Sequence, residues 1–254
     1  MIMLACDLDN TIIFRKPNPL HDYVPAEYLD GKPLTYISRR ALELFQNIDR
    51  HVEFVPVTAR SMEEYARIAV FADRPPRYAI TSLGGVILKD GKMDAEWEKR
   101  RDAIMRPVRE TLGRVYLTFK GEGRASRIRM VDESYLFLKS DCAEDLEPEI
   151  RGLCEDSGLN ILRRGKKIYI TPMGINKETA ALALREELAA KIMVAAGDSD
   201  SDIGMLNAAD YALVPELDML AGLKPRRGAF STAGNDFASF VFGFLSGCDR
   251  QDKI

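Results

Sequence analysis

Short apolar segments alternate with amphipathic segments at both ends of this 254-residue chain. MIMLAC, at residues 1–6, and EFVPVTA, at 53–59, have the length and the apolar character of buried strands. Between them, YISRRALELFQNIDR repeats its apolar residues at helical spacing, and SMEEYARIAVFA begins with a capping box of Ser61 and Glu64. Strands that alternate with helices predict an α/β fold, in which helices cover both faces of a parallel sheet.

A segment in the middle of the chain breaks this alternation, because its strands follow one another closely with short turns such as ES and GK. Such hairpins are typical of an antiparallel sheet. We therefore predict a core formed by residues 1–85 and 172–254, and an inserted α+β domain at 86–171. The predicted elements of the insert are a helix at 93–113, strands at 115–119, 126–132 and 135–140, a helix at 141–157, and strands at 160–164 and 167–171.

Residues 17–35 are predicted to be a loop. The segment contains Pro17, Pro19, Pro25 and Pro33, together with Gly31, and both residue types interrupt helices and central strands.

Composition excludes several classes of function. The formal net charge is -3 at pH 7, without a basic excess, so nucleic acid is not expected as the main ligand.

The longest apolar stretch, FASFVFGFLSG, is too short to span a bilayer, and no signal peptide is visible. The cysteines, at positions 6, 142, 154 and 248, show no metal-binding spacing, which favours reduced thiols in a cytoplasmic protein. The sequence does not specify an oligomeric state.

Acidic and hydroxyl side chains follow the predicted strands of the core. Asp7 and Asp9 come directly after the first strand, Thr58 ends the second, and Asp198 and Asp202 follow a late strand in VAAGDSDSD. A further charged residue, Lys177, opens a helix just upstream of that late strand. In open α/β sheets, ligands bind at the carboxyl ends of the strands, so we expect these side chains to converge on one crevice.

The chemistry of this set is suited to a phosphoryl group. Clustered carboxylates favour a hard cation such as Mg²⁺, which would offset the repulsion among Asp7, Asp198 and Asp202. Lys177 adds positive charge and Thr58 adds a hydrogen-bond donor. One carboxylate can act as a covalent nucleophile and a second as general acid and base.

The motifs DLDNT, VTAR, NK and GDSDSD, in this order, resemble those of the haloacid dehalogenase-like phosphatases, specifically the Cof-type and sucrose-phosphatase-like branch with a large α+β cap. The resemblance implies a Rossmann-like core and a Mg²⁺-dependent phosphatase that acts on a small phosphorylated metabolite, a sugar phosphate or a related phosphate monoester. It assigns the nucleophile to Asp7 and the acid/base role to Asp9. Thr58 and Lys177 would bind the transferring phosphoryl group.

The same resemblance assigns the remaining site residues. The metal ligands would be Asp7, the backbone carbonyl of Asp9 and Asp198, with Asp202 supporting them directly or through water. Further contacts to the substrate would come from Thr11, Ala59 and Arg60. In many relatives the motif around Thr58 is T-G-R, whereas this chain has Ala59, and Ser201 replaces a common Asn before the last aspartate.

Two other functions stay open at this level. A phosphotransferase or mutase of the phosphomannomutase type would use the same core, with a substrate hydroxyl in place of water. A non-catalytic module would keep the site only to hold Mg²⁺ and a phosphorylated ligand.

Two residues have predictions of their own. Arg60 fits either a substrate contact or an ion pair with Glu63 or Glu64. Trp97 is predicted to pack against the sheet of the insert.

Overall fold

The computed structural model describes residues 1–16, 21–232 and 236–251, and the side chains among these up to residue 245. The strands are β1 (Ile2–Cys6), β2 (Tyr23–Leu29), β3 (Lys32–Ser38), β4 (Val52–Pro56), β5 (Tyr78–Thr81), β6 (Val86–Lys89), β7 (Lys92–Met93), β8 (Arg127–Val131), β9 (Tyr135–Lys139), β10 (Leu159–Arg164), β11 (Lys167–Pro172), β12 (Ile192–Ala196), β13 (Tyr211–Val214) and β14 (Gly228–Ser231). The helices are α1 (Arg39–Gln46), α2 (Met62–Ala66), α3 (Ala95–Met105), α4 (Arg109–Gly121), α5 (Ala143–Leu153), α6 (Lys177–Glu187), α7 (Ile203–Ala208) and α8 (Phe237–Gln251).

The core is a five-stranded sheet in the order β14-β13-β12-β1-β4, and all of its strands are parallel. In register, Cys6 at the end of β1 faces Pro56 of β4 on one side and Ala196 of β12 on the other. All three strands therefore end at the same edge of the sheet. Every residue of β1 is buried, as expected of a central strand covered on both faces.

Helices cover both faces of this sheet. On one face α1 and α8 pack against the strands through an aromatic cluster that includes Phe45, Phe54 and Phe242. On the other face α6 and α7 contribute small and aliphatic residues, among them Ala180 and Met205. Within the described residues, no helix combines the length and the apolar character that a membrane span requires.

The inserted segment forms a four-stranded antiparallel sheet in the order β10-β11-β9-β8. Helices α4 and α5 pack on it around a separate apolar cluster. The predicted α/β core and the antiparallel cap sheet are both confirmed. The domain boundaries at residues 85 and 172 stay a prediction.

The prediction of a loop at 17–35 is wrong over most of its length, although residues 17–20 lie outside the described part of the chain. Strands β2 and β3 form a hairpin there, joined by Asp30 and Gly31 at φ values of 50° and 75°. Two adjacent residues with positive φ make the tight turn that matches strand twist. The hairpin is a separate two-stranded sheet, so Pro25 and Pro33 interrupt no larger ladder, and its register shifts next to Pro25.

The strand predicted at 115–119 is also wrong, because VYLTF lies inside α4. Leu112, Val115 and Phe119 are buried at intervals of three and four residues, which is helical spacing. The helix predicted at 93–113 is in fact α3 and α4, separated by a 3-10 turn at Arg106–Val108 that contains a proline.

Trp97 packs against the core instead of the cap sheet that was predicted. Its side chain is buried in the cluster of Ile80, Ile87 and Ala180, and its indole Nε1 donates to the Gly84 carbonyl at 3.0 Å. The predicted capping box at the start of α2 is confirmed, since Ser61 and Glu64 exchange both hydrogen bonds. That helix is shorter than predicted and is followed by a 3-10 turn at Ala69–Phe71.

Candidate active site

The structure brings together the side chains that follow the core strands. Asp7 follows β1 directly, and its N–H donates to the Ala196 carbonyl of β12 at 2.9 Å. Lys177 is the first residue of α6, a helix capped by Asn176, whose Oδ1 accepts from the Thr179 N–H at 2.8 Å. The cap fixes where the helix begins and therefore where the lysine stem enters the crevice.

Lys177 lies between two buried carboxylates. Its Nζ is 2.5 Å from Asp7 Oδ1 and 2.6 Å from Asp202 Oδ1. Lys177 is 2% exposed, and Asp7 and Asp202 are 5% and 0% exposed. Burial lowers the pKa of Lys177, but the charges of Asp202 and Asp7 outweigh it, so that the pKa lies above its usual value and the ammonium stays charged.

Asp7, Asp198 and Asp202 form a cluster in which one oxygen of each lies within 4.8 Å of the others. Thr11 Oγ1 donates to Asp7 Oδ2 at 3.2 Å and lies 3.5 Å from Asp198 Oδ1. The negative charge of three carboxylates exceeds the positive charge of one lysine, and oxygen ligands in such a cluster fit a hard divalent cation.

Without a cation, burial raises the pKa of Asp7 to about 8. The charge of Lys177 opposes this rise, and the charge of Asp202 adds to it. Burial and then Asp202 also raise the pKa of Asp198.

Asp9 lies at the mouth of the crevice and is held by Arg60. The Nε and Nη2 atoms of Arg60 each donate to one Asp9 oxygen at 2.8 Å, a two-point contact. Burial opposes ionisation, but the hydrogen bonds and charge of Arg60 outweigh it and lower the pKa of Asp9. Arg60 also pairs with Glu27, at 2.7 Å, and not with the Glu63 or Glu64 carboxylates that the sequence suggested.

Thr58 and Ala59 connect the core site to the cap. Thr58 is buried, and its Oγ1 accepts from the Arg60 N–H at 3.2 Å. The Ala59 carbonyl accepts a hydrogen bond from Tyr135 Oη of β9 at 2.9 Å. The cap therefore rests directly on the loop that carries the predicted phosphate contacts. Substrate binding by Thr11, Thr58, Ala59, Arg60 and Lys177 stays a prediction.

A cavity of about 150 Å³ lies between the start of α6 and the cap sheet. Along β10 and β11 the buried residues alternate with Asn160, Leu162, Tyr169 and Thr171, which line this cavity. The core side contributes Leu83, Asn176, Lys177 and Glu178. None of these cap residues is among the site residues that the sequence predicts. Period-two alternation in NILRR and KIYIT indicates that one face of the hairpin is exposed, but not what it faces.

The family of this chain follows from its match to a family model. The model described as sucrose-6F-phosphate phosphohydrolase matches residues 1–215. The chain belongs to this family. The resemblance seen in the four motifs is therefore confirmed, and so is the assignment to a family of phosphatases.

Individual relatives agree with this assignment. The chain is 28% identical over 211 residues to a bifunctional trehalose-6-phosphate synthase/phosphatase of Thermoproteus tenax, a match that covers 82% of this chain and 27% of that protein. It is also 34% identical over 92 residues to a phosphoglycolate phosphatase of Methanoculleus marisnigri. This match covers 34% of this chain and 39% of that protein. The chain thus spans well under half the length of either curated relative.

Among solved structures, the sucrose-phosphatase of Synechocystis, in complex with sucrose and phosphate, is similar at a TM-score of 0.63. The two are 14% identical, and the match covers 97% of each chain. A likeness at this identity shows the shared fold, including both core and cap.

Proposed function

We propose that this protein is a Mg²⁺-dependent phosphatase that hydrolyses a small phosphorylated sugar through an aspartyl-phosphate. The observation that carries the proposal is the placement of the Asp7 carboxylate, which contacts Lys177 and belongs to the three-carboxylate cluster. A nucleophile beside a fixed ammonium and a cation site fits phosphoryl transfer, which depends on positioning and on charge stabilisation.

The cation would be held by Asp7, the Asp9 backbone carbonyl and Asp198, with Asp202 in support. When bound, Mg²⁺ would neutralise charge on the phosphoryl oxygens and reduce their repulsion with Asp7. Lys177 is already held by Asp7 and Asp202, so its charge is in place before substrate binds. Thr58, buried beside Arg60, would donate a hydrogen bond to a phosphoryl oxygen.

Two steps complete the reaction. Arg60 keeps Asp9 ionised in the free protein, so Asp9 takes up a proton when the substrate binds. In the first step, an Asp7 oxygen forms a bond to phosphorus while the bond from phosphorus to the sugar oxygen breaks, and Asp9 gives its proton to that oxygen. In the second, Asp9 accepts a proton from water as the water oxygen bonds to phosphorus and the bond to Asp7 breaks. The products are the alcohol and inorganic phosphate, with Asp7 and Asp9 restored.

The cavity supports a sugar as the leaving group. Its lining offers two amides, from Asn160 and Asn176, and two hydroxyls, from Tyr169 and Thr171, all of which can hydrogen-bond to sugar hydroxyls. Leu83 and Leu162 add apolar surface. The carboxylate of Glu178 disfavours a leaving group that carries its own negative charge. Similar proteins are named for sucrose and trehalose phosphates, which agrees with this chemistry.

Phosphate release from a panel of phosphate esters tests the proposal. The panel contains sucrose 6-phosphate, trehalose 6-phosphate, glucose 6-phosphate, phosphoglycolate and p-nitrophenyl phosphate, each with Mg²⁺ and with a chelator. We expect metal-dependent release that is fastest for a sugar phosphate and absent in Asp7→Asn. A matched control is Asp200→Asn, because Asp200 is exposed and lies in the same acidic run as Asp198.

Other outcomes would select the alternatives. Movement of a labelled phosphoryl group to another sugar position, without phosphate release, would favour the mutase. Tight binding of a sugar phosphate without turnover would favour the binding module.

We also propose that the protein is cytoplasmic. The free thiols of Cys6, Cys142 and Cys154 support this, since unpaired cysteines are typical of reducing compartments.

A further inference from the structure

Glu27 is a buried carboxylate on the β2–β3 hairpin, away from the reacting groups. Its side chain is 0% exposed. It accepts from Arg60 Nη1 at 2.7 Å, Arg67 Nε at 3.1 Å and Thr35 Oγ1 at 3.3 Å. A buried carboxylate is costly unless it is paired in this way. The hairpin is thereby attached to the segment that follows β4.

Arg60 connects Glu27 to the mouth of the active site. One edge of its guanidinium, Nε and Nη2, contacts Asp9, while Nη1 contacts Glu27. Arg60 itself is 8% exposed, whereas the Asp9 side chain is 41% exposed. An exposed aspartate has several rotamers open to it. A buried guanidinium with planar geometry restricts Asp9 to one of them.

We infer that Glu27 is a positioning residue for proton transfer, because it fixes the guanidinium of Arg60, which in turn orients the carboxylate of Asp9. The inference rests on the proposed function, in which Asp9 is the general acid. Arg67 gives Glu27 a second cation, so Arg60 stays in place when Asp9 keeps one oxygen on Arg60 and presents the other, protonated, to a leaving oxygen. The charges of Arg15 and Lys177 also lower the pKa of Asp9. Within the described residues, however, neither side chain has a hydrogen bond to Asp9.

Leaving groups of different basicity separate this role from a purely structural one. A sugar alkoxide needs a proton from Asp9 as its bond to phosphorus breaks, whereas p-nitrophenolate leaves as a stable anion without one. The ratio kcat/KM reports only the steps from free enzyme and substrate to the phosphorylation of Asp7. It therefore does not depend on the later hydrolysis of the aspartyl-phosphate, in which Asp9 acts as a base. The test compares Glu27→Gln with wild type on p-nitrophenyl phosphate and on the sugar phosphate that wild type hydrolyses fastest.

Glutamine keeps the shape of Glu27 and removes the charge that holds Arg60. General acid catalysis contributes about 10²–10⁴-fold, so partial misplacement of Asp9 should lower kcat/KM for the sugar phosphate by about tenfold or more. For the aryl phosphate we expect a loss of less than about threefold, since no proton is required. Equal losses on both substrates, or no loss on either, would overturn the inference.

Asp210→Asn is the matched control. Asp210 is a buried acid that pairs with Arg185 at 2.6 Å and accepts from the Met193 N–H at 2.8 Å, and neither partner is a site residue. It should lower thermal stability and leave the ratio of the two kcat/KM values unchanged. The same selective loss in this control would show that destabilisation alone produces it, which also contradicts the inference.

If circular dichroism shows that Glu27→Gln does not fold, a second variant is used for the same comparison. Glu27→Asp keeps the negative charge but shortens the side chain, which weakens its contact with Arg60 Nη1. It should show the same selective loss on the sugar phosphate. If wild type releases no phosphate from any ester, the proposed function fails and the inference fails with it. Wild-type activity with equal losses in the variants overturns only the positioning role.

Discussion

The ammonium of Lys177 lies 2.5 Å from Asp7 Oδ1, although 170 residues separate the two in sequence. Both are almost fully buried, and Lys177 also contacts Asp202 at 2.6 Å. A single cation therefore holds the proposed nucleophile and a second carboxylate of the cluster. This triad links the first strand of the chain to the part of the core that follows the insert.

Replacing Lys177 by Met should destabilise the protein and abolish turnover. Removing one partner of a buried ion pair leaves unpaired charge and costs about 3–5 kcal/mol. Urea unfolding without added metal would measure the free energy, and phosphate release the activity. Lys191→Met is the control, since Lys191 is exposed and its side chain has no hydrogen bond or ion pair within the described residues. Wild-type stability and turnover in Lys177→Met would contradict the geometry of the triad.

Mg²⁺ should stabilise the folded protein, because the carboxylate cluster exists only in the folded state. A ligand at a hundred times its Kd adds about 2.7 kcal/mol to the free energy of unfolding. Thermal unfolding with and without Mg²⁺ measures the shift. Asp198→Asn should remove most of it, and Asp200→Asn, from the exposed position two residues on, should keep it. Identical shifts in both variants would place the cation elsewhere.

The convergence of the site was predictable because it follows from sheet geometry. Parallel strands end at one edge, so Asp7, Thr58 and Asp198 had to lie together once their strands were recognised. Helix capping likewise placed Lys177, since Asn176 marks the start of α6. These signals are local, and each depends on only a few neighbouring residues.

Other features depend on contacts that local patterns do not contain. The prolines at 25 and 33 indicated a loop, but the hairpin forms because Asp30 and Gly31 make a tight turn and Glu27 is anchored from outside. VYLTF suits a strand by composition, and only burial in the cap core shows that it is helical. The pairing of Glu27 with Arg60 joins residues 33 apart, and no spacing rule predicts it.

Mg²⁺ affinity should rise with pH through the range around pH 8. In the metal-free protein, burial raises the pKa of Asp7 from 3.8 to about 8, so Asp7 is protonated at pH 6 and loses that proton near pH 8. A metal ligand must be deprotonated, so binding at low pH has to displace the proton. Calorimetric titrations at pH 6 and pH 9 should show tighter binding at pH 9 and proton release at pH 6. A Kd that does not change with pH would contradict this.

The same shift affects the stability of the metal-free protein. Because the pKa of Asp7 is higher in the folded state, its contribution to stability is complete below about pH 4 and is lost as pH rises to about 8. We expect metal-free protein to be less stable at pH 8.5 than at pH 6.5, and saturating Mg²⁺ to reduce the difference. Asp7→Asn removes the titrating group and should flatten the metal-free profile. An unchanged profile in that variant would assign the pH dependence to another group.

Tyr135→Phe should weaken the contact between the cap and the loop that carries the predicted phosphate contacts. Tyr135 is 2% exposed, and its hydroxyl donates to the Ala59 carbonyl, so its removal leaves a carbonyl without that partner. We expect a loss of about 1 kcal/mol in stability and a raised KM for the best sugar phosphate. Tyr116→Phe is the control, because the Tyr116 hydroxyl contacts only the exposed Lys120 among described residues. Equal effects in both variants would assign no special role to the Ala59 contact.

Gly84→Ala tests how closely the two connections between core and insert approach each other. Gly84 has a φ of 95°, and a Cβ there would lie 2.1 Å from the backbone oxygen of Asn176. An added methyl group therefore meets both backbone strain and a clash with the residue that caps α6 and precedes Lys177.

Gly91→Ala separates these two costs, because Gly91 has a φ of 75° but open space around its Cβ. Positive φ alone costs about 1 kcal/mol for an alanine, and we expect roughly this loss at Gly91. At Gly84 the backbone must also shift, so the loss in unfolding free energy should be clearly larger and turnover should fall as Lys177 moves with Asn176. Similar losses at both positions, with activity kept, would show that the Gly84–Asn176 contact relaxes without disturbing the site.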